Sequence, residues 1–101
     1  MRMLMTIRLP NEPFNSAVLD GTAGSKIEDI LGETKPEAVY FTEMNGQRTA
    51  VMIVELEKAS RVPALAEPWF LAFDAAVEFH ILMGPQELQE AGLDELGERW
   101  A

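Results

Sequence analysis

Four side chains that can hold or transform a small molecule are predicted to share one face of a β-sheet: Arg8, Tyr40, Glu78 and His80. His80 is the only histidine of the chain, and a histidine beside a carboxylate can serve as a general base. Arg8 is suited to hold an anion next to that pair. The alternative interpretation is a dimer-interface cluster whose members satisfy one another's hydrogen bonds.

The strand pairing that defines this face is clearest in residues 38–56. Asn45-Gly46 favours a two-residue type I′ turn, because both central positions of that turn need positive φ. With this turn Glu43 lies opposite Arg48 and Thr42 opposite Thr49, both of which are favourable cross-strand pairs. One face is then apolar and is expected to lie under helices: Val39, Phe41, Ala50, Met52, Val54 and Leu56. The other face is mixed: Tyr40, Thr42, Thr49, Val51 and Ile53.

Two further stretches, residues 2–9 and residues 75–83, alternate between side-chain types and are predicted to be strands. Pairing them with Arg8 opposite Glu78 places Thr6 opposite His80. In the last strand, Val77, Phe79, Ile81 and Met83 are expected to face the helices.

A first helix is predicted from Asn11, its possible cap, to about residue 31. Gly21 and Gly24 weaken its middle and either pack it closely on the sheet or break it in two. The Gly21–Gly24 segment is similar to part of a phosphate-binding loop, but it lacks the Gly-Lys-Ser/Thr ending. Helix packing or a helix break is therefore the preferred interpretation.

A second helix is predicted within residues 57–73, capped by Ser60 and broken or kinked at Pro68. Trp69, Phe70 and Phe73 are expected to form an aromatic plug over the core. Trp69 can alternatively line a ligand pocket between helices and sheet.

The predicted order is β-α-β-β-α-β, the ferredoxin-like α+β arrangement, with a four-stranded antiparallel sheet of order 4-1-3-2. Residues 1–101 are predicted to form one domain, with a core at 2–84 and a C-terminal helical segment at 85–101. That segment is expected to be interrupted at Gly92. Four of its side chains are available for docking: Leu88, Leu93, Leu96 and Trp100.

Charge and composition exclude several classes of function. The net charge of −9 argues against nucleic-acid and anionic membrane surfaces as partners. One histidine near one glutamate falls short of the three or four ligands of a typical metal site, and no cofactor is indicated. The chain has no cysteine, no stretch long enough to span a bilayer and no signal-peptide pattern. A cytoplasmic location follows by default.

The uncovered, half-apolar sheet face predicts a partner, and the simplest partner is a second copy across a two-fold axis. The layout of residues 2–84 resembles the dimeric α+β barrel superfamily, as do two landmarks, Glu67-Pro68-Trp69-Phe70 and Met83-Gly84-Pro85. They are similar to an uncharacterised group of small single-domain bacterial proteins. The superfamily includes small cofactor-independent monooxygenases and muconolactone-type isomerases, so it implies a fold and a homodimer but no particular reaction.

Two hypotheses of function follow. In the first, a homodimeric barrel binds or transforms a small organic molecule in a cavity lined by Arg8, Tyr40, His80 and Trp69, with Glu78 beside His80. In the second, the barrel is a filled, non-catalytic module that acts by association. An open cavity of about 300 Å³ or more at these residues distinguishes the first from the second.

Overall fold

A computed structural model describes residues 1–101 and has α+β architecture. Four strands form one antiparallel sheet: β1 (Arg2–Leu9), β2 (Ala38–Met44), β3 (Gln47–Glu55) and β4 (Ala76–Ile81). The helices are α1 (Asn11–Leu19), α2 (Ala23–Thr34), α3 (Val62–Phe73), α4 (Pro85–Glu90) and α5 (Leu93–Arg99), with a 3₁₀ turn at Ala59–Arg61 before α3. None of these helices is both long and apolar enough to cross a membrane.

The strands are arranged in the order β2-β3-β1-β4. Read from the opposite edge this is β4-β1-β3-β2, so the order 4-1-3-2 expected from the sequence describes the same neighbours. β1 and β3 are the central strands, and β2 and β4 are the two edges. The end of β4 and the turn after β2 therefore lie at diagonally opposite corners of the sheet.

The β2–β3 hairpin has the predicted turn and register. Asn45 and Gly46 have φ of 55° and 75°, and Glu43 lies opposite Arg48. That pair makes no ion pair, however. The Glu43 carboxylate accepts a hydrogen bond from the Gly46 N–H at 2.8 Å, while the Arg48 guanidinium donates to Asn15 Oδ1 at 2.7 Å. The two charges thus stabilise the turn and the contact with α1 separately.

The core lies between the sheet and helices α1, α2 and α3. Fully buried Met5, Ile7 and Met52 of the central strands pack there with Trp69 and Phe73 of α3. Phe41 was expected on this covered face as well, yet it is 54% exposed. Because β2 is an edge strand, the helices leave its outermost part uncovered. Ile81 and Met83, expected to face the helices beyond Phe79, are likewise exposed.

The glycine-containing segment breaks the first helix in two. α1 ends at Leu19 and α2 begins at Ala23, with Gly21 between them at φ 80°. An added Cβ at Gly24 would meet nothing within 4 Å, so close packing on the sheet is not the reason for that glycine. The expected cap from Asn11 is absent, since Pro10 occupies the N-cap position without a side-chain hydrogen bond.

The expected break at Pro68 is wrong, because α3 continues through it from Val62 to Phe73. A proline inside a helix costs roughly 3 kcal/mol, whereas burying Trp69 and Phe73 completely on one stripe offsets that cost. Phe70 projects away from this stripe and is 41% exposed, so the aromatic plug has two members rather than three. Ser60 lies in the 3₁₀ turn and makes no capping hydrogen bond.

The C-terminal segment is interrupted at Gly92, as expected, with φ of 72° there. It does not dock on its own core. Leu88, Leu93, Leu96 and Trp100 are all between 45% and 75% exposed. The chain consequently extends 59 Å along its longest axis and only 29 × 20 Å across.

Candidate functional site

The candidate site lies on the outer face of the sheet, the face turned away from helices α1, α2 and α3. The register arranges this face in rows that cross all four strands. The three central rows are Thr42–Thr49–Arg8–Ala76, Tyr40–Val51–Thr6–Glu78 and Ala38–Ile53–Leu4–His80. Arg8, Tyr40, Glu78 and His80 therefore share the outer face, as predicted.

The predicted pairing of β1 with β4 is wrong by two residues. Arg8 lies opposite Ala76, Thr6 opposite Glu78 and Leu4 opposite His80. A shift of two residues keeps every side chain on the same face, so alternation in the sequence cannot detect it. The position of β4 is decided by α3, which continues to Phe73 and reverses at Asp74 (φ 55°).

Glu78 and His80 form the only histidine–carboxylate contact of the chain. His80 Nε2 lies 3.5 Å from Glu78 Oε1, and both side chains are just over half exposed. They are two residues apart on β4 and so point the same way. In the single chain this pair is an acid–base couple open to water, without a wall to exclude solvent.

Arg8 is the unsatisfied group of the outer face. It forms no salt bridge, and its Nε is buried without a hydrogen-bond partner. Around it lie the only two buried polar residues of the chain, Thr6 at 8% and Thr49 at 1% exposure. Burying a guanidinium N–H without an acceptor is unfavourable, and no group of the chain offsets that cost at Arg8.

Tyr40 and Trp69 lie apart from this group. Tyr40 is at the opposite end of the row from Glu78, three strand spacings or about 14 Å away, and is 69% exposed. Trp69 lies on the other side of the sheet in the core, where its ring centroid is 6.1 Å from that of Phe73. Its Nε1 is buried without a partner. The sequence-based set thus separates. Glu78 and His80 are in contact. Arg8 lies diagonal to Glu78, four residues along the strands from His80, or about 14 Å away.

The two cavities of the chain lie elsewhere. One, of about 530 Å³, is an open groove between α4 and α5. The other, of about 150 Å³, is bounded by Thr34, Glu55, Glu57, Arg61 and Leu65. Neither is lined by any of the five candidate residues. The chain gathers no cluster of three or more His, Asp or Glu side chains that could hold a metal ion.

The charge of the outer face is a feature that the linear sequence did not reveal. Of the seventeen acidic residues, only Glu78 lies in the three central rows, and Arg8 balances it. At the end of the face, Arg2 pairs with Glu37 at 2.8 Å and the N-terminal amine with Glu55 at 2.6 Å. The face is therefore near neutral on a chain whose net charge is −9. The sequence matches no known protein-family model, and no curated protein is significantly similar to it.

Proposed function

We propose that the protein is a cytoplasmic homodimer in which the outer faces of two ferredoxin-like domains pack against each other. The observation that supports this proposal is the outer face itself, which no helix covers and which carries partly exposed Leu4, Val51 and Ile53 beside exposed Tyr40. Exposed apolar surface of this kind marks association. Its near neutrality lets two strongly acidic chains approach along this face without the repulsion that their other surfaces would produce. The resemblance to dimeric α+β barrels implies the same arrangement.

We further propose that the space between the two sheets binds a small organic molecule that carries an anionic group. Arg8 supports this, because it forms no salt bridge within the chain and lies on a central strand, where a facing sheet would exclude water. A charge-assisted hydrogen bond to a carboxylate or phosphate would satisfy Arg8. Glu78 and His80, on the adjacent strand, would lie against the rest of the molecule. These residues supply a binding site, and no reaction is assigned to them.

A second candidate function is association without a ligand, in a tightly packed interface. The observation that favours it is that Arg8 and Glu78 carry opposite charges on the same face and form no salt bridge with each other. Here Glu78 of the partner subunit would satisfy Arg8. The two candidates predict the same dimer. They differ in whether a ligand or only protein side chains occupy the space between the two sheets.

The dimer is tested by sedimentation velocity at micromolar concentration. Val51→Arg places a charge at the centre of the outer face and is expected to give a monomer. Val18→Arg makes the same substitution at a half-exposed site on α1 and is expected to remain dimeric. A wild-type chain that stays monomeric at these concentrations would refute the proposal.

The ligand is tested by native mass spectrometry of dimer purified from cells under mild conditions. We expect a bound mass in the wild-type protein that is lost in Arg8→Met and retained in Arg48→Met, a control whose side chain lies on the opposite face of the sheet, against Phe14 of α1. A dimer that carries no additional mass would favour the packed-interface candidate.

A further inference from the structure

Residues 83–101 form a C-terminal arm that extends from the body of the protein. The radius of gyration is 17.1 Å, whereas a compact domain of this length has about 13 Å. The arm leaves the sheet after β4, at one edge, and carries α4 and α5. No hydrogen bond or salt bridge outside the helices joins it to α1, α2, α3 or the sheet interior.

The two helices of the arm are too short to be stable alone. α4 has six residues and α5 has seven, and isolated helices shorter than about 12–15 residues are marginal in water. Helices in proteins owe most of their stability to packing of an apolar stripe. Leu93, Leu96 and Trp100 form such a stripe at helical spacing, yet they are 57%, 45% and 75% exposed. The arm therefore needs a surface to pack on.

The uncovered area matches what a dimer buries. The accessible surface of the chain is 7042 Å², and a compact monomer of 11.3 kDa would expose about 5,700 Å². The excess is about 1,300 Å². A standard interface buries roughly 800 Å² per partner, and obligate homodimers bury more. A second copy of the chain would cover this excess on both protomers at once, because a two-fold interface is reciprocal.

One large apolar side chain, Phe41, is exposed at the far edge of the sheet. Phe41 points to the helix side of β2 but is 54% exposed, since no helix of its own chain covers it. The arm begins at the opposite corner, after β4, which lies three strand spacings or about 14 Å across the sheet and four residues further along the strands. The arm of the same chain does not lie against Phe41, whereas the arm of a second copy can approach Phe41 from outside.

We infer that the arm packs on a second copy of this chain, where its Leu93–Leu96–Trp100 stripe covers the exposed β2 edge at Phe41. The acidic side chains of the arm, Glu95 and Glu98 among them, remain on its solvent side. This inference rests on the homodimer proposed above but concerns a different contact. The sheet faces hold the two bodies together, and each exchanged arm contacts its partner on the helix side of the β2 edge, outside that interface.

The first test compares dimer dissociation constants by sedimentation. The double variant Leu93→Gln/Leu96→Gln is expected to raise the constant at least about 100-fold, since two buried leucines lose their packing. The double variant Glu95→Gln/Glu98→Gln changes the same helix on its acidic side and is expected to change the constant less than about threefold. Phe41→Ser is expected to weaken the dimer in the same direction as the leucine variant. An unchanged constant in the leucine variant or in Phe41→Ser overturns the inference while leaving the face-to-face dimer standing.

The second test uses tryptophan fluorescence. The chain has two tryptophans, so Trp69→Phe leaves Trp100 as the only reporter. Its emission is expected to lie at shorter wavelength in the dimer and to shift to the solvent-exposed value on dilution or in the Val51→Arg background. Identical emission in dimer and monomer overturns the arm contact. A Val51→Arg monomer whose scattering gives a radius of gyration near 13 Å also overturns it, because the arm then folds on its own body. A wild-type chain that never dimerises refutes both the arm contact and the proposed dimer.

Discussion

Arg8 and Glu78 lie on neighbouring strands and on the same face of the sheet, but the register sets them diagonally and they form no ion pair. Arg8 is opposite Ala76, and Glu78 is opposite Thr6. The Arg8 Nε is buried without a partner, while Glu78 lies 3.5 Å from His80. Two opposite charges therefore lie diagonally on the outer face without forming an ion pair with each other.

The unsatisfied state of Arg8 predicts how its removal affects stability. Arg8→Met keeps the aliphatic stem and removes the unpartnered donor, so the free energy of unfolding of the monomer is expected to stay the same or rise by up to about 1 kcal/mol. Arg48→Met is the matched comparison. Arg48 donates to Asn15 Oδ1 at 2.7 Å and lies 4.7 Å from the Phe14 ring centroid, and its loss is expected to cost about 1–2 kcal/mol. Urea unfolding at a concentration where the chain is monomeric measures both. A loss at Arg8 as large as that at Arg48 would contradict the prediction.

The hairpin turn depends on a backbone conformation that only glycine adopts easily. Gly46 has φ of 75°, so Gly46→Ala is expected to lower the free energy of unfolding by about 1 kcal/mol or more. Gly32 lies inside α2, where an added Cβ would meet nothing within 4 Å, and Gly32→Ala is expected to raise the stability by about 0.5–1 kcal/mol. Thermal and chemical unfolding of the two variants should therefore shift in opposite directions. Shifts of the same sign would contradict the positive φ assigned to Gly46 in the turn.

Two adjacent aromatic residues of α3 should differ strongly in their contribution to stability. Trp69 is fully buried, and Phe70 is 41% exposed. Trp69→Ala is expected to cost about 3–5 kcal/mol through the cavity that it leaves. Phe70→Ala is expected to cost much less, about 1 kcal/mol, because the Phe70 side chain is only partly buried in the folded chain. Comparable losses at both positions would mean that α3 is rotated relative to the sheet, or that Phe70 is covered in the proposed dimer. Measurement on the Val51→Arg monomer separates those two explanations.

The turn between α1 and α2 should contribute to the stability of the protein by an amount that depends on pH. Asp20 Oδ1 accepts hydrogen bonds from the Thr22 hydroxyl at 2.6 Å and the Thr22 N–H at 3.0 Å. These bonds hold the pKa of the Asp20 carboxyl below its ordinary value of 3.8. The stabilisation is therefore present above pH 3.8 and is lost as the pH falls through the lower, folded-state pKa.

Asp20→Ala is accordingly expected to lower the melting temperature at pH 7 and to have less effect near pH 2. Carboxyl carbon NMR should place the Asp20 midpoint below 3.8 in the wild-type protein. Glu28→Ala, at an exposed position of α2 without a side-chain hydrogen bond, is the control for loss of one charge. A constant difference between Asp20→Ala and wild type at pH 7 and pH 2 would contradict the assigned bonds.

Local rules predicted those features that depend on neighbouring residues. Asn45-Gly46 fits one turn, and that turn sets the β2–β3 register. Alternation along residues 2–9 assigned β1 its two faces. The same rules could not choose between a break and a packing role at Gly21 and Gly24, because either outcome satisfies the local sequence. They also predicted a break or kink at Pro68, where α3 continues, since the burial of Trp69 and Phe73 is a property of the assembled core.

The sequence by itself determined which side chains share a face, because a strand repeats every two residues whatever it pairs with. It therefore placed Arg8, Tyr40, Glu78 and His80 together on one side of the sheet. Only the tertiary structure decided which of them are neighbours. The β1–β4 register puts Arg8 diagonal to Glu78, and the strand order puts Tyr40 about 14 Å from Glu78 at the other edge. Trp69 lies in the core on the other side of the sheet. Distances across strands depend on long-range pairing, which is chosen by the fit of α3 and the core rather than by any local pattern.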